Sequence, residues 1–268
     1  AGNPNCGKTT MFNALTGANQ YVGNWPGVTV EKKEGKLKNQ KDVTVTDLPG
    51  IYSLSPYTLE EVVSRDYLLK EKPDVIIDLV DATNIERNLY LATQLLEIGI
   101  PVVIALNMVD LLKKNNIHIN VKGLSSALGC PIVETSALKG TGLKEVVDEA
   151  IKCANQHRVP SKQMEFPKAV EKAVNEIEGF VPANIAEENK RWYAVKLLER
   201  DSKVKEGLNL PASAQSRIEE IASGLEKAED DDTESIVTDG RYQYIQKVVS
   251  ANVKRSGNKM TVSDKIDR

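Results

Sequence analysis

The sequence predicts an α/β domain with a mostly parallel sheet, followed by a small all-α domain. Three observations carry this. First, Val/Ile-rich apolar runs at 43–46, 75–80, 102–106 and 132–135 alternate with helix patterns such as 85–98 and 143–153. Runs this short and this apolar are strands buried on both faces of a parallel sheet, and their alternation with helices gives a layered α/β domain. Second, the strand signal stops after Pro160. Beyond it Val170, Val174 and Ile177, then Ile218, Ile221 and Leu225, then Tyr242, Ile245 and Val249 fall at helical spacing. Prolines at 160, 167, 182 and 211 punctuate these helices. The expected division is 1–158, 159–258 and a tail, 259–268. The acidic run 229–232 reads as a helix end or solvated loop. Third, residues 2–9 form a glycine-bounded loop ahead of a helix, the phosphate-binding arrangement taken up below.

Composition sets the outer bounds. The 268 residues suit one large domain or two ordinary ones, and 41% hydrophobic with 27% charged residues is ordinary for a globular protein. The net charge of -3 arises in the first 150 residues and the remaining 118 carry equal numbers of each sign, so no nucleic-acid surface is expected. No apolar run exceeds about seven residues, far short of a membrane span. Residues 1–20 are polar and Gly-rich. Cys6, Cys130 and Cys153 form neither a disulfide framework nor a paired zinc spacing. A reducing, cytosolic setting is the expectation.

Gly2-Asn3-Pro4-Asn5-Cys6-Gly7-Lys8-Thr9 matches G-x-x-x-x-G-K-[ST]. The glycines let successive N–H groups turn inward onto phosphate oxygens. Lys8 brings a cation to the β- and γ-phosphates, and Thr9 a hydroxyl to Mg2+. The helix opening at Thr10 adds the positive end of its dipole. Such a loop follows a buried strand, so the natural protein is expected to begin several residues before Ala1. Cys6 reads as a passive loop residue rather than a redox centre, although a helix N-terminus lowers thiol pKa.

Three later segments fall in order. Asp47-Leu48-Pro49-Gly50 ends the run 43–46; Asp47 would hold Mg2+ through water and the Gly50 N–H would meet a γ-phosphate. Asn107-Met108-Val109-Asp110 ends the run 102–106. Asp110 there accepts from the N1–H and exocyclic amine of guanine, a pattern adenine lacks. The common form has lysine at position 108; the Met108 stem is left to pack on the base. Ser136-Ala137-Leu138 follows the run 132–135, with the Ala137 N–H expected at the guanine O6. His118 and His157 have no metal-ligand spacing. Trp192, Tyr193, Tyr242 and Tyr244 read as core, and Arg65 and Arg87 as surface groups.

This order and spacing resembles a Ras-like GTPase. The stretch 22–35, beginning Val22-Gly23-Asn24-Trp25-Pro26-Gly27-Val28-Thr29, resembles the first switch of the ferrous iron transport protein B (FeoB) family. So do Asp47-Leu48-Pro49-Gly50-Ile51-Tyr52-Ser53-Leu54, the Asn-Met-x-Asp form and the end of the chain, 260–267. The resemblance covers essentially the whole chain and is looser in the helical part. It implies a GTP- and GDP-binding domain at the cytoplasmic face of the membrane, a helical spacer that slows nucleotide release, and a C-terminal membrane transport domain outside this sequence. It implies Thr29 as a second Mg2+ ligand. Ras-like enzymes usually carry a water-orienting Gln where this chain has Ile51. The resemblance therefore implies K+ as the source of positive charge, coordinated by Asn5 and by carbonyls of Gly23 and Trp25. A free-standing K+-activated GTPase acting on ribosome or tRNA, and a nucleotide-gated binding protein that hardly hydrolyses, remain alternatives. Self-association is left open.

Overall fold

The phosphate loop feeds helix α1 (Lys8–Thr16), and the chain then makes three antiparallel strands, β1 (Gln20–Asn24), β2 (Glu31–Leu37) and β3 (Gln40–Asp47). The computed structural model describes residues 1–17 and 20–255; the tail 259–268 lies outside them. The sheet register runs from Gln20 opposite Gly35 to Asn24 opposite Glu31, and from Lys33 opposite Asp47 to Lys36 opposite Thr44. This corrects the expectation for 43–46. That run is not buried on both faces, because β3 is half-exposed and hydrogen-bonded antiparallel to β2. β2 reads Glu-Lys-Lys-Glu-Gly-Lys-Leu, with Lys32–Glu34 and Lys33–Glu31 paired at its surface, so it carries no apolar run to find.

The parallel sheet is as expected. β4 (Ile76–Asp81) pairs with β5 (Val102–Asn107), and β5 with β7 (Ile132–Glu134). β5 is buried at every residue, between α3 (Ile85–Glu97) on one side and α5 (Leu143–Asn155) on the other. Ala1 and Gly2 extend this sheet. Gly2 pairs in parallel with Leu79, and the Leu79 N–H donates to the Ala1 carbonyl at 3.0 Å. A groove of about 750 Å3 lies between β3 and β4, lined by Met11, Leu15, Val43, Val45, Ile77 and Val147.

Asp78 is the misfit of this sheet. It is 1% exposed, and neither carboxylate oxygen has a hydrogen-bond partner among the described residues. Burial pushes its pKa up to about 6. A carboxyl raised in the folded state binds protons there more readily than in the unfolded chain, so the contribution of Asp78 to stability is greatest at low pH and falls as pH rises from about 4 to about 6. The full cost is about 3 kcal/mol. Unfolding free energies of the wild type are expected to show this loss between pH 4 and 7, and those of Asp78→Asn to lack it. Parallel pH profiles for the two proteins would show that Asp78 does not titrate in this range.

The helical region consists of α6 (Lys168–Glu178), α7 (Glu187–Leu198), α8 (Ser202–Leu208), α9 (Ala212–Glu229) and α10 (Thr233–Asn252). The acidic run ends α9, and Asp232 caps α10 by accepting from the Ser235 N–H. One continuous apolar cluster joins the two halves, taking in Leu89 and Leu95 of α3, Leu124 of α4 (Val121–Leu128), Val174, Trp192 and Ile245. Two buried ion pairs cross between them, Arg65–Asp201 at 2.6 Å and Arg241–Glu97 at 2.9 Å. Arg65 is thus corrected from surface group to buried staple, at 2% exposure. Tyr242 is corrected the other way; it is 42% exposed and stacks on Tyr90. After α10 the chain returns, and β8 (Val253–Arg255) pairs antiparallel with β6 (Ile117–Ile119).

Candidate functional site

The parallel register sets Asp81 beside Asn107 and Leu106 beside Glu134, so the carboxyl ends of β4, β5 and β7 are nearly level. Sheets of this kind open their ligand crevice beyond those ends. A cavity of about 710 Å3 opens there, lined by Asn3, Pro4, Asn5, Gly7, Lys8, Thr9, Thr10, Gly50, Asn107, Met108, Asp110, Leu111, Ser136, Ala137 and Leu138. That volume suits a small-molecule ligand.

The phosphate loop forms one end. Asn5 and Gly7 adopt left-handed backbone (φ 65° and 96°), which turns successive N–H groups toward one hollow. A Cβ on Gly7 would lie 2.4 Å from Asn107 Nδ2, so only glycine fits. The N-cap of α1 is Gly7, which has no side chain to cap it, so the first N–H groups of the helix stay available to an anion. Lys8 Nζ lies 2.9 Å from Asp47 Oδ1. Gly50 lies over the loop, where a Cβ would sit 3.2 Å from Pro4 Cα. The Ile51 N–H donates to the Gly2 carbonyl at 3.3 Å, and the Ile51 side chain is 2% exposed in the core.

Asn107 braces the two ends together. Its Nδ2 donates to the Cys6 carbonyl at 2.8 Å, and its Oδ1 accepts from the Ala137 N–H at 2.9 Å and the Thr135 hydroxyl at 3.2 Å. All four bonds that an amide side chain offers are not needed; these three fix the phosphate loop to the 136–138 loop. Met108 takes left-handed backbone (φ 65°) and turns the chain so that Asp110 faces the cavity. The Ser136 hydroxyl, and after it Lys139, hold the Asp110 carboxyl below its usual range.

Some sequence-picked residues lie elsewhere. Gly2 and Cys6 are buried under the loop, and burial pushes the Cys6 thiol up to about 11, which leaves it unreactive. Val28, Thr29, Gly23 and Trp25 do not line the cavity. Gly23 is paired with Lys32 in the β1–β2 ladder. The Trp25 carbonyl accepts from the Val28 N–H at 3.2 Å, and its ring is buried edge-on against Tyr67. The ladder and its turn thus hold this segment at the outer side of the molecule, with Thr29 exposed. Two neighbours of the site carried no sequence signal: Leu111, which lines the cavity, and Lys139, which pairs with Asp110.

Residues 1–150 match the family described as ferrous iron transport protein B, and residues 166–254 match the FeoB cytosolic helical domain. The chain belongs to the FeoB family. A curated FeoB relative, the Fe(2+) transporter FeoB of Shigella flexneri, is 41% identical over 254 residues, covering 91% of this chain and 31% of the relative. An Fe(2+) transport protein A/FeoB fusion protein of Porphyromonas gingivalis is 39% identical over 281 residues, covering 99% and 33%. The chain therefore spans about a third of the length of these FeoB relatives. Among solved FeoB structures, a GDP-bound mutant of S. thermophilus NFeoB superposes with a TM-score of 0.90 at 47% identity, covering 94% of this chain and 97% of that one. The mGMPPNP-bound NFeoB of the same organism gives 0.83 at 46% identity, covering 97% and 98%. The fold is that of the FeoB GTPase domain with its helical region, and no described helix is long and apolar enough to cross a membrane.

Proposed function

We propose that this chain binds GTP, hydrolyses it to GDP and phosphate, and serves as the nucleotide-dependent part of a ferrous iron transporter whose membrane domain lies outside this sequence. One observation carries the reading: a single cavity gathers the phosphate loop, Gly50 and the Asp110–Ala137 pair. FeoB neighbours bound to GDP, to GDP.AlF4- and to mGMPPNP support the guanine nucleotide.

The chemistry is positioning and charge neutralisation around a loose transition state. The α1 N–H groups and Lys8 receive the β- and γ-phosphates. The Gly50 N–H meets the γ-phosphate, and Asp110 with the Ala137 N–H reads the base. Thr9 and Asp47 offer the oxygen donors Mg2+ prefers, with Asp47 already at the Lys8 ammonium. When bound, Mg2+ neutralises phosphate charge. Thr29 joins that set only if 25–30 moves inward from the ladder.

The rate should depend on the monovalent cation. Ile51 is buried and, among the described residues, no arginine lines the cavity, so neither a water-orienting amide nor a second cation is placed there by them. Asn5 is exposed at the cavity and suits K+; Gly23 is paired in the ladder, and the Trp25 carbonyl is taken by the Val28 N–H in the turn beyond it. Phosphate release from GTP is expected to slow by up to about a hundredfold when KCl is replaced by NaCl at equal ionic strength. Asn5→Ala should remove that difference and spare nucleotide binding. Equal rates in both salts would refute the cation dependence, and no phosphate release in either would refute hydrolysis itself.

A further inference from the structure

The base loop lacks the lysine that its common form carries, because position 108 is methionine. A cation reaches the same carboxylate from the facing loop. Lys139 Nζ lies 3.2 Å from Asp110 Oδ2. Its backbone is firmly placed. Ser136 and Thr141 close the loop with two mutual hydrogen bonds, at 3.1 and 3.2 Å, and the Lys139 N–H donates to the Ser136 carbonyl at 3.1 Å. Left-handed Gly140 and Gly142 (φ 71° and 75°) make the turn, and a Cβ on Gly142 would lie 2.1 Å from the Glu134 carbonyl oxygen. Lys139 is not among the residues that line the cavity, and it meets the site through Asp110.

We propose that Lys139 is a positioning residue for guanine recognition, holding Asp110 Oδ2 so that the carboxylate presents a fixed edge to the base. This rests on the reading of the cavity as a guanine-nucleotide site. The pair is a poor source of stability, since the Lys139 side chain is 60% exposed and exposed ion pairs contribute little to folding. Its effect is orientational. A carboxylate fixed at one oxygen can face two donors, the guanine N1–H and exocyclic amine, at once. With Lys139 gone only the Ser136 hydroxyl is left to hold the carboxylate, which then turns, keeps one bond and loses the second. The consequence is a loss of discrimination between guanine and hypoxanthine, which has the N1–H and lacks the amine.

The test compares GDP, IDP and ADP binding by the wild type, Lys139→Met and Lys139→Arg, with thermal melting of each protein alongside. Lys139→Met should weaken GDP about fivefold to tenfold, change IDP less than about twofold, and leave the melting temperature unmoved. Lys139→Arg should keep the wild-type GDP-to-IDP ratio. An equal loss for GDP and IDP, or no change for either, would overturn the positioning role while leaving the guanine site standing. Wild-type protein that binds ADP as tightly as GDP would overturn both.

Discussion

Asp110→Asn is expected to weaken GDP and GTP binding by about a thousandfold or more and to raise affinity for xanthine nucleotides. The carboxylate is acceptor-only, matched to the two donors on the guanine edge; an amide turns one acceptor into a donor. Against guanine, that donor meets another donor, and a buried polar group is left unpaired. Against xanthine, whose exocyclic position is a carbonyl, the same donor finds an acceptor. The fold should tolerate the change, because Asn107 and not Asp110 ties the phosphate loop to the 136–138 loop. Titrating fluorescent GDP and XDP against both proteins decides the matter. Unaltered GDP affinity in the mutant would remove Asp110 from the base site.

Glu97→Ala is expected to destabilise the protein by about 3–5 kcal/mol. Arg241 is 1% exposed, and Glu97 takes two of its N–H groups, at 3.1 and 2.9 Å. The other groups around it are the Thr93 hydroxyl, the Met164 sulfur and the rings of Phe166 and Tyr90; the Glu199 carboxylate acts on it through space without a hydrogen bond, so Glu97 is its one directly paired charge among the described residues. Removing Glu97 therefore strands a guanidinium in the core. At about 2–4 °C per kcal/mol for a chain near this size, melting should fall by about 6–20 °C. Adding Arg241→Met should recover most of the loss, since the stranded charge and not the missing pair is the larger cost. If the double mutant melts no higher than Glu97→Ala, the charge argument fails and packing around Arg241 governs the site.

What was legible in the sequence is what local rules write there. The strands at 76–81, 102–107 and 132–134 are apolar because both faces are covered, and a phosphate loop needs its glycines at fixed offsets whatever surrounds it. β1 and β2 escaped because one face meets solvent and ion pairs replace apolar side chains. Arg65 was misread because its partner, Asp201, is 136 residues away, and nothing local distinguishes a stapled arginine from a solvated one. Lys139 escaped for a related reason: its relation to Asp110 exists only once two loops from different strands face each other. Asn107 was read as a site residue and lines the cavity, yet its bracing of both loops depends on packing that spacing alone does not encode.

The return of β8 onto β6 has a mechanical consequence. The ladder matches Ile117 with Arg255, His118 with Lys254 and Ile119 with Val253, and the Asn120 N–H donates to the Asn252 carbonyl at 2.7 Å. The helical region is thereby tethered at both ends, so it cannot swing as a lever about the 156–167 connection alone. Tension applied at Arg255 does not load the tip of a bundle. It loads the three residue pairs of this ladder, then β6, then the Ile117 N–H bond to the Leu112 carbonyl (2.9 Å), two residues from Asp110. The ladder thus links the end of α10 to the neighbourhood of the base loop rather than to the phosphate loop.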